Sequence, residues 1–310
     1  MKKFLVVLMA VMLVFSMAAC GGNGGSSGGS DKPAEEPAAE AGAVGLSVST
    51  LNNPFFVTLV DGAQAKADEL GVELIVVDAS DDSAKQASDI EDLVSKGIKV
   101  LIVNPVDSDA VAPSIEDVIA AGINVIAVDR MVNGVDVDCS IASDNVLGAE
   151  LAAQFLVDTV GEGAKCAELQ GVNGASATVD RGAGFHNIAD SKLEVVASQT
   201  ANFNRAEGLT VMENILQASP DVQCVFAHND EMALGALEAL EGKEVVVAGF
   251  DATDDAIQAV KDGKMAATVA QQPDLMGSTA VEAAQKLMAG ESVESSIPVE
   301  VKLVTAENVG

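Results

Sequence analysis

A chain of 310 residues with 49% apolar and 21% charged content has the make-up of an ordinary globular protein of one large or two medium domains, which excludes extensive disorder. Its 47 acidic against 17 basic side chains give a formal charge of −30, which disfavours nucleic acid or an anionic lipid surface, since both are held by clustered Lys and Arg. Two His and four Cys leave little for a zinc or histidine-based active site, and with Trp and Tyr absent any aromatic ligand contact falls to the nine Phe.

Lys2 and Lys3 precede a sixteen-residue apolar or small run from Phe4 to Ala19, the order of an export signal. The run is shorter than the ~20 residues a helix needs to span a bilayer. Its end, Ser16-Met17-Ala18-Ala19-Cys20, resembles a bacterial lipobox, which implies a signal peptide over 1–19 and lipidation of Cys20. A plain secretory cut after Ala19 is the alternative, with Met17 poorly suited to a position three places before it. Residues 21–30 are nearly all Gly and Ser, and 31–43 are rich in Pro, Ala and Glu. Neither stretch can bury enough surface to fold, so 20–43 reads as a tether between an anchored Cys20 and a folded body. The expected address is the extracytoplasmic face of the cell membrane, or the periplasm, with the lipid on Cys20 the sole membrane contact.

From Val44 onward short β-branched runs alternate with amphipathic stretches. Strands are predicted at 45–49, 73–78, 100–104, 124–129, 139–142, 166–169, 194–198, 222–227, 244–250 and 265–270. Continuous apolar runs without strict alternation describe strands covered on both faces. Helical segments include 56–70, 84–96, 115–121, 148–160 and 276–288, with Gly71, Gly97, Gly122 and Gly290 placed as left-handed caps. Repeated β-α units imply a doubly wound parallel α/β sheet, and about ten units point to two similar lobes. Cys139, Cys166 and Cys224 sit in strand-like contexts and read as buried free thiols ahead of a disulfide.

In open parallel sheets ligands bind beyond the carboxyl ends of the strands. Those ends here carry Asn52, Asn53, Phe55 and Phe56 after the first strand, Asn104 after the third, and Asp129 with Arg130 after the fourth. Asn229 follows the eighth, Phe250 and Asp251 end the ninth, Gln271 follows the tenth, and Arg181 and Phe203 lie in connections of the second half. Each Asn or Asp taken singly reads first as a helix cap or turn residue. Six polar strand ends with Phe beside them suit a small neutral polyol: carboxylates accept hydroxyl protons, Arg donates in fixed forks, amides do both, and the C–H faces of a sugar lie against Phe.

The segments STLNNPFF (49–56), NPVDSDA (104–110), IASDNVLG (141–148) and NDEMALGA (229–236) resemble the ribose-binding proteins of bacterial ABC importers, and the likeness covers nearly all of 44–304. It implies the periplasmic-binding-protein type I fold, with hinge crossings near Ser143, Gln271 and Glu300. One lobe would be 44–143 plus 272–300, the other 144–271 plus 301–310. By the same resemblance Asn53, Phe55, Phe56, Asn104, Asp129 and Arg130 from the first lobe, and Arg181, Phe203, Asn229, Phe250, Asp251 and Gln271 from the second lobe or its hinge, contact the sugar. Phe56 and Phe203 would sandwich the pyranose ring. The implied protein is a monomer without cofactor or metal that captures D-ribose, or a close monosaccharide such as allose or a furanosyl signal, and delivers it to an ABC permease. His228 before Asn229, the acidic tether and the three cysteines depart from the pattern without replacing a contact.

Two other readings carry less. Asp129 and Asp251 could be a glycosidase pair, but Arg or amide neighbours are expected to keep both ionised, and a general acid needs a raised pKa. His186 and His228, far apart in sequence, read as surface or satisfied side chains. A transcriptional repressor would need a helix-turn-helix where residues 1–43 hold a signal and a tether.

Overall fold

The computed structural model describes residues 42–310, so Cys20, the signal and most of the tether lie outside the described residues. In chain order the first sheet takes β1 (Val44–Val48), β2 (Leu74–Asp78), β3 (Val100–Val103), β4 (Asn124–Val128) and β5 (Cys139–Ser143). Between β1 and β4 run α1 (Pro54–Leu70), α2 (Ser83–Ser95) and α3 (Ala112–Ala120). After α4 (Asn145–Val160) the second sheet repeats the plan with β6 (Lys165–Gln170), α5 (Ser176–Lys192), β7 (Glu194–Thr200), α6 (Arg205–Ala218), β8 (Cys224–Ala227), α7 (Asp230–Ala239), β9 (Val246–Asp251), α8 (Asp254–Lys261) and β10 (Ala267–Ala270). The chain closes with α9 (Pro273–Met288), β11 (Ser296–Val299) and β12 (Lys302–Thr305).

The two sheets have matching orders, β2-β1-β3-β4-β5-β11 and β7-β6-β8-β9-β10-β12. Every pairing is parallel except β10 with β12. The chain therefore passes between sheets three times: after β5, between β10 and α9 (which packs on β3, β4 and β5), and between β11 and β12. This is the two-lobed, doubly wound parallel α/β architecture that the alternation predicts.

Apolar clusters flank both faces of each sheet. Leu46, Val48, Ile102 and Ile126 pack with Phe56, Leu59 and Val281 on one side of the first sheet, while Leu101, Val103 and Val125 meet Ile90, Leu93 and Ile115 on the other. The second sheet is covered likewise by clusters around Met212 and Met232 and around Phe185, Phe226 and Phe250. Covering on both faces explains why β1, β3 and β8 are buried at every residue and read as unbroken apolar runs. The edge strands β7 and β11 are partly exposed.

Local signals set the helix ends. Gly71 closes α1 at φ 67°, its N–H bonding Ala67 O and Asp68 O, a left-handed cap that a Cβ would disfavour. At the opposite end Asn53 Oδ1 accepts from Phe55 N, and Asn229 Oδ1 accepts from Met232 N at the start of α7. Such caps stabilise a helix by about 1 kcal/mol. Both caps stand at the carboxyl ends of central strands, so capping aims these asparagines at the space between the lobes.

Candidate functional site

A narrow space between the lobes is lined by buried side chains from both sheets. The first lobe contributes Asn53, Phe55 and Phe56 from the start of α1, and Asp129 and Arg130 from the end of β4. The second contributes Ala177 and Arg181 of α5, Phe203 before α6, Asn229 before α7, Asp251 at the end of β9 and Gln271 after β10. Ten of the twelve residues singled out in the sequence line this space. Asn104 and Phe250 stand behind it: the Asn104 amide bonds Ser49 N, Val128 O and Asp129 Oδ2, and the Phe250 ring lies 3.8 Å beneath the Arg181 guanidinium.

The charged groups are fixed by neighbours that leave part of their capacity free. Arg130 Nη1 donates to Pro105 O at 2.9 Å, and its Nε, 3.9 Å from Asp129 Oδ2, has no hydrogen-bond partner. Arg181 donates through Nε to Asn145 Oδ1 at 2.9 Å and through Nη1 to His228 O at 2.6 Å, while Asp251 Oδ1 is 3.6 Å from Nη1. Gln271 Nε2 donates to that same Asp251 oxygen at 2.7 Å. Asp129 Oδ1, Arg130 Nε and Gln271 Oε1 are buried polar atoms without partners, and all three belong to residues of the lining. A buried polar atom left unpaired is costly, so hydroxyl groups that pair with these atoms gain an interaction water-exposed groups would not offer.

Burial, outweighing Arg130, Arg181 and Asn104, raises the Asp129 pKa. Burial likewise raises Asp251 well above the usual carboxylate range despite Arg181 and Gln271. The Arg and amide neighbours expected from the sequence are present, but they do not hold the two carboxyls down, because the ion pairs are long and the site is fully desolvated. The arginines shift in the complementary sense, lowered by burial against the pull of Asp129 and Asp251.

The aromatic groups frame this charge. The Arg130 guanidinium lies 5.3 Å from the Phe56 ring centre and 5.4 Å from that of Phe203, so rings from opposite lobes approach one group. Backbone strain concentrates here: Asp129 (φ 65°), Phe203 (φ 56°) and Asp251 (φ 120°) are non-glycine residues with positive φ, a conformation held where the surroundings over-determine it.

Two contributors carry no signal in their own side chains. Ala177 is part of the wall, and a methyl group on Gly171 would overlap the Phe203 ring. His186 is half-buried and His228 fully buried, and the two meet through Glu168. Cys139, Cys166 and Cys224 are free and buried, away from the lining. Among the described residues no group of His, Cys, Asp and Glu side chains is arranged to hold a metal ion.

Side chains from two separate sheets converge on this space, the arrangement of a solute-binding protein with its site between two lobes. Comparison with known sequences gives the same class: residues 44–292 match the periplasmic binding protein domain, and the chain belongs to that family. It is 53% identical over 264 residues to the ribose import binding protein RbsB of Bacillus subtilis, covering 84% of this chain and 87% of that protein. Identity to RbsB of Escherichia coli K12 is 51% over 268 residues, covering 85% and 90%. Among solved structures, an ABC transporter solute binding protein from Bacillus halodurans with bound myo-inositol superimposes with a TM-score of 0.84 at 35% identity, covering 88% of this chain and 98% of that one.

Proposed function

We propose that this protein captures D-ribose between its lobes and delivers it to an ABC permease. The observation that carries the reading is the convergence of Asn53, Asp129, Arg130, Arg181, Asp251 and Gln271 from both lobes on one space, with three buried polar atoms left to pair. Two carboxyls set against two guanidinium groups favour a neutral polyol over a charged solute. The sequence relatives named as ribose import binding proteins support ribose within that class.

Capture proceeds by closure. Segments after Ser143, around Gln271 and at Glu300 serve as the hinge, and a sugar that touches both lobes binds the closed arrangement better than an open one. That difference alone shifts the population. A ten-atom pentose offers at most ~1.5 kcal/mol per heavy atom, ample for binding at about µM or tighter. Phe56 and Phe203 cover the two faces of the ring, and Asn104 and Phe250 hold Asp129 and Arg181 in place. The protein works as a monomer that binds without turnover, exported and anchored through a lipid on Cys20.

Titration calorimetry with D-ribose, D-allose, L-arabinose and myo-inositol tests the reading. Ribose should bind tightest, one per chain. Clear heat with another sugar and none with ribose would refute the ligand assignment, and hydrolysis of a glycoside would refute the binding role.

A further inference from the structure

A chain of titratable groups runs through the second lobe from its surface to the cavity. Asp190 Oδ1 lies 2.7 Å from His186 Nδ1, His186 Nε2 lies 3.3 Å from Glu168 Oε2, and Glu168 Oε1 lies 2.9 Å from His228 Nε2. Asp190 is exposed and His186 partly so, whereas Glu168 and His228 are wholly buried. The chain ends at the site, because the carbonyl oxygen of His228 is the acceptor for Arg181 Nη1 at 2.6 Å. Glu168 is a carboxylate in the middle of an interior strand, β6, where an unpaired charge is strongly destabilising. Both its oxygens are engaged, one by His228 and the other by His186 and by Gln170 Nε2 at 3.0 Å.

This geometry sets the charge of His228. With Nε2–H donating to Glu168, the other ring nitrogen, Nδ1, is buried without a partner, so a proton added there finds no acceptor. The ring is walled by Phe226 of β8, and its titratable neighbours are Glu168 of β6 and Arg181 and His186 of α5. Asp251 of β9 and Asp230 of α7 act on the neighbouring Arg181. Burial lowers the His228 pKa, with Arg181 and His186 adding to it, against the opposing pull of Glu168. His186 moves the other way: burial lowers it, but bonds and charges from Asp190 and Glu168 more than offset that.

We infer that the Glu168–His228 pair is a positioning device for Arg181: neutral His228, pinned by Glu168, presents its carbonyl to the arginine, and protonation of the ring weakens sugar binding. The inference rests on the sugar reading of the cavity. A cation on His228 sits beside a second cation, the Arg181 guanidinium that its carbonyl holds, and the repulsion between them bears on the arginine that lines the cavity. Linkage then requires that sugar binding and His228 protonation oppose one another. Affinity is full above the pKa of His228 in the free protein and falls as pH drops through it.

The test is the D-ribose affinity of the full chain by calorimetry between pH 8 and pH 5, beside His228→Gln, whose amide can still donate to Glu168 but cannot titrate. The cavity carboxyls Asp129 and Asp251 titrate in both proteins, so the device is read as the difference: the unaltered chain should lose more affinity on acidification than His228→Gln, by up to about tenfold for one pKa unit of linkage. An equal decline in both proteins would overturn the inference. Absence of ribose binding in the unaltered chain at pH 8 would instead sink the ribose assignment on which the inference rests. Nuclear magnetic resonance titration of the His228 ring in the unaltered protein gives a second measurement that needs no variant. Its pKa should be lower with ribose than without, and an identical value in both states would contradict the device.

Discussion

Asn104 Nδ2 donates to Asp129 Oδ2 at 3.1 Å and so decides which carboxylate oxygen is left for the cavity. The same amide bonds Val128 O, and its oxygen accepts from Ser49 N, tying the ends of β1, β3 and β4 together. Asn104→Leu removes all three bonds in a buried place. We predict a stability loss of about 1–3 kcal/mol, from the polar groups left unpaired, together with weaker ribose binding. Thermal unfolding and calorimetry on the same sample check it. Unchanged affinity would mean that Asp129 does not need its orientation fixed.

Asp251 is the acceptor for Gln271 and the nearest anion to Arg181. Its replacement by Ala takes from the buried guanidinium its nearest carboxyl and from Gln271 its acceptor. Ribose affinity should fall by several kcal/mol, of the order found when one partner of a buried pair is deleted. An Asp251→Ala protein that binds ribose nearly as well as the unaltered chain would remove this residue from the site.

Asp230 binds the start of α8 and the middle of β10: Oδ2 accepts from Thr253 N at 2.8 Å and from its hydroxyl, and Oδ1 accepts from Thr268 Oγ1 at 2.7 Å. Complete burial, outweighing these bonds, pushes its pKa up to about 7 from an ordinary value near 3.8. The folded chain therefore holds a proton that the unfolded chain has released between those two values. Stability contributed by this group is greatest at low pH and declines as pH rises towards and through about 7. The melting temperature of the unaltered protein should drop between pH 5.5 and pH 8 more steeply than that of Asp230→Asn. Parallel curves would contradict the assignment.

Much of this arrangement is legible in the residues, and the exceptions have physical causes. Interior strands covered on both faces announce themselves as apolar runs, and the edge strands β2 and β7 show through their paired Val residues, so β1 to β10 stand out. The strands β11 and β12 do not, since each is a four-residue edge strand with few buried positions, and β11 contains Pro298. For Asn53 and Asn229 the choice between cap and ligand contact was never exclusive, because one amide oxygen caps the helix while the residue lines the cavity. Position at a strand end does not tell which layer a side chain joins, which is why Asn104 and Phe250 fall behind the lining. Gly171 and Ala177 act through shape alone. Glu168 did carry a signal, a carboxylate inside an apolar run, and its partners His186 and His228 are visible only once β6, β8 and α5 are assembled.

The central claim is that both lobes grip the same sugar. Phe56 and Phe203 offer the most direct check, since each supplies mainly apolar contact from its own lobe. Ribose affinities of Phe56→Ala and Phe203→Ala, measured side by side, should each fall by about 1–2 kcal/mol from the apolar area withdrawn. Full affinity in either variant would place the sugar on one lobe and contradict the account.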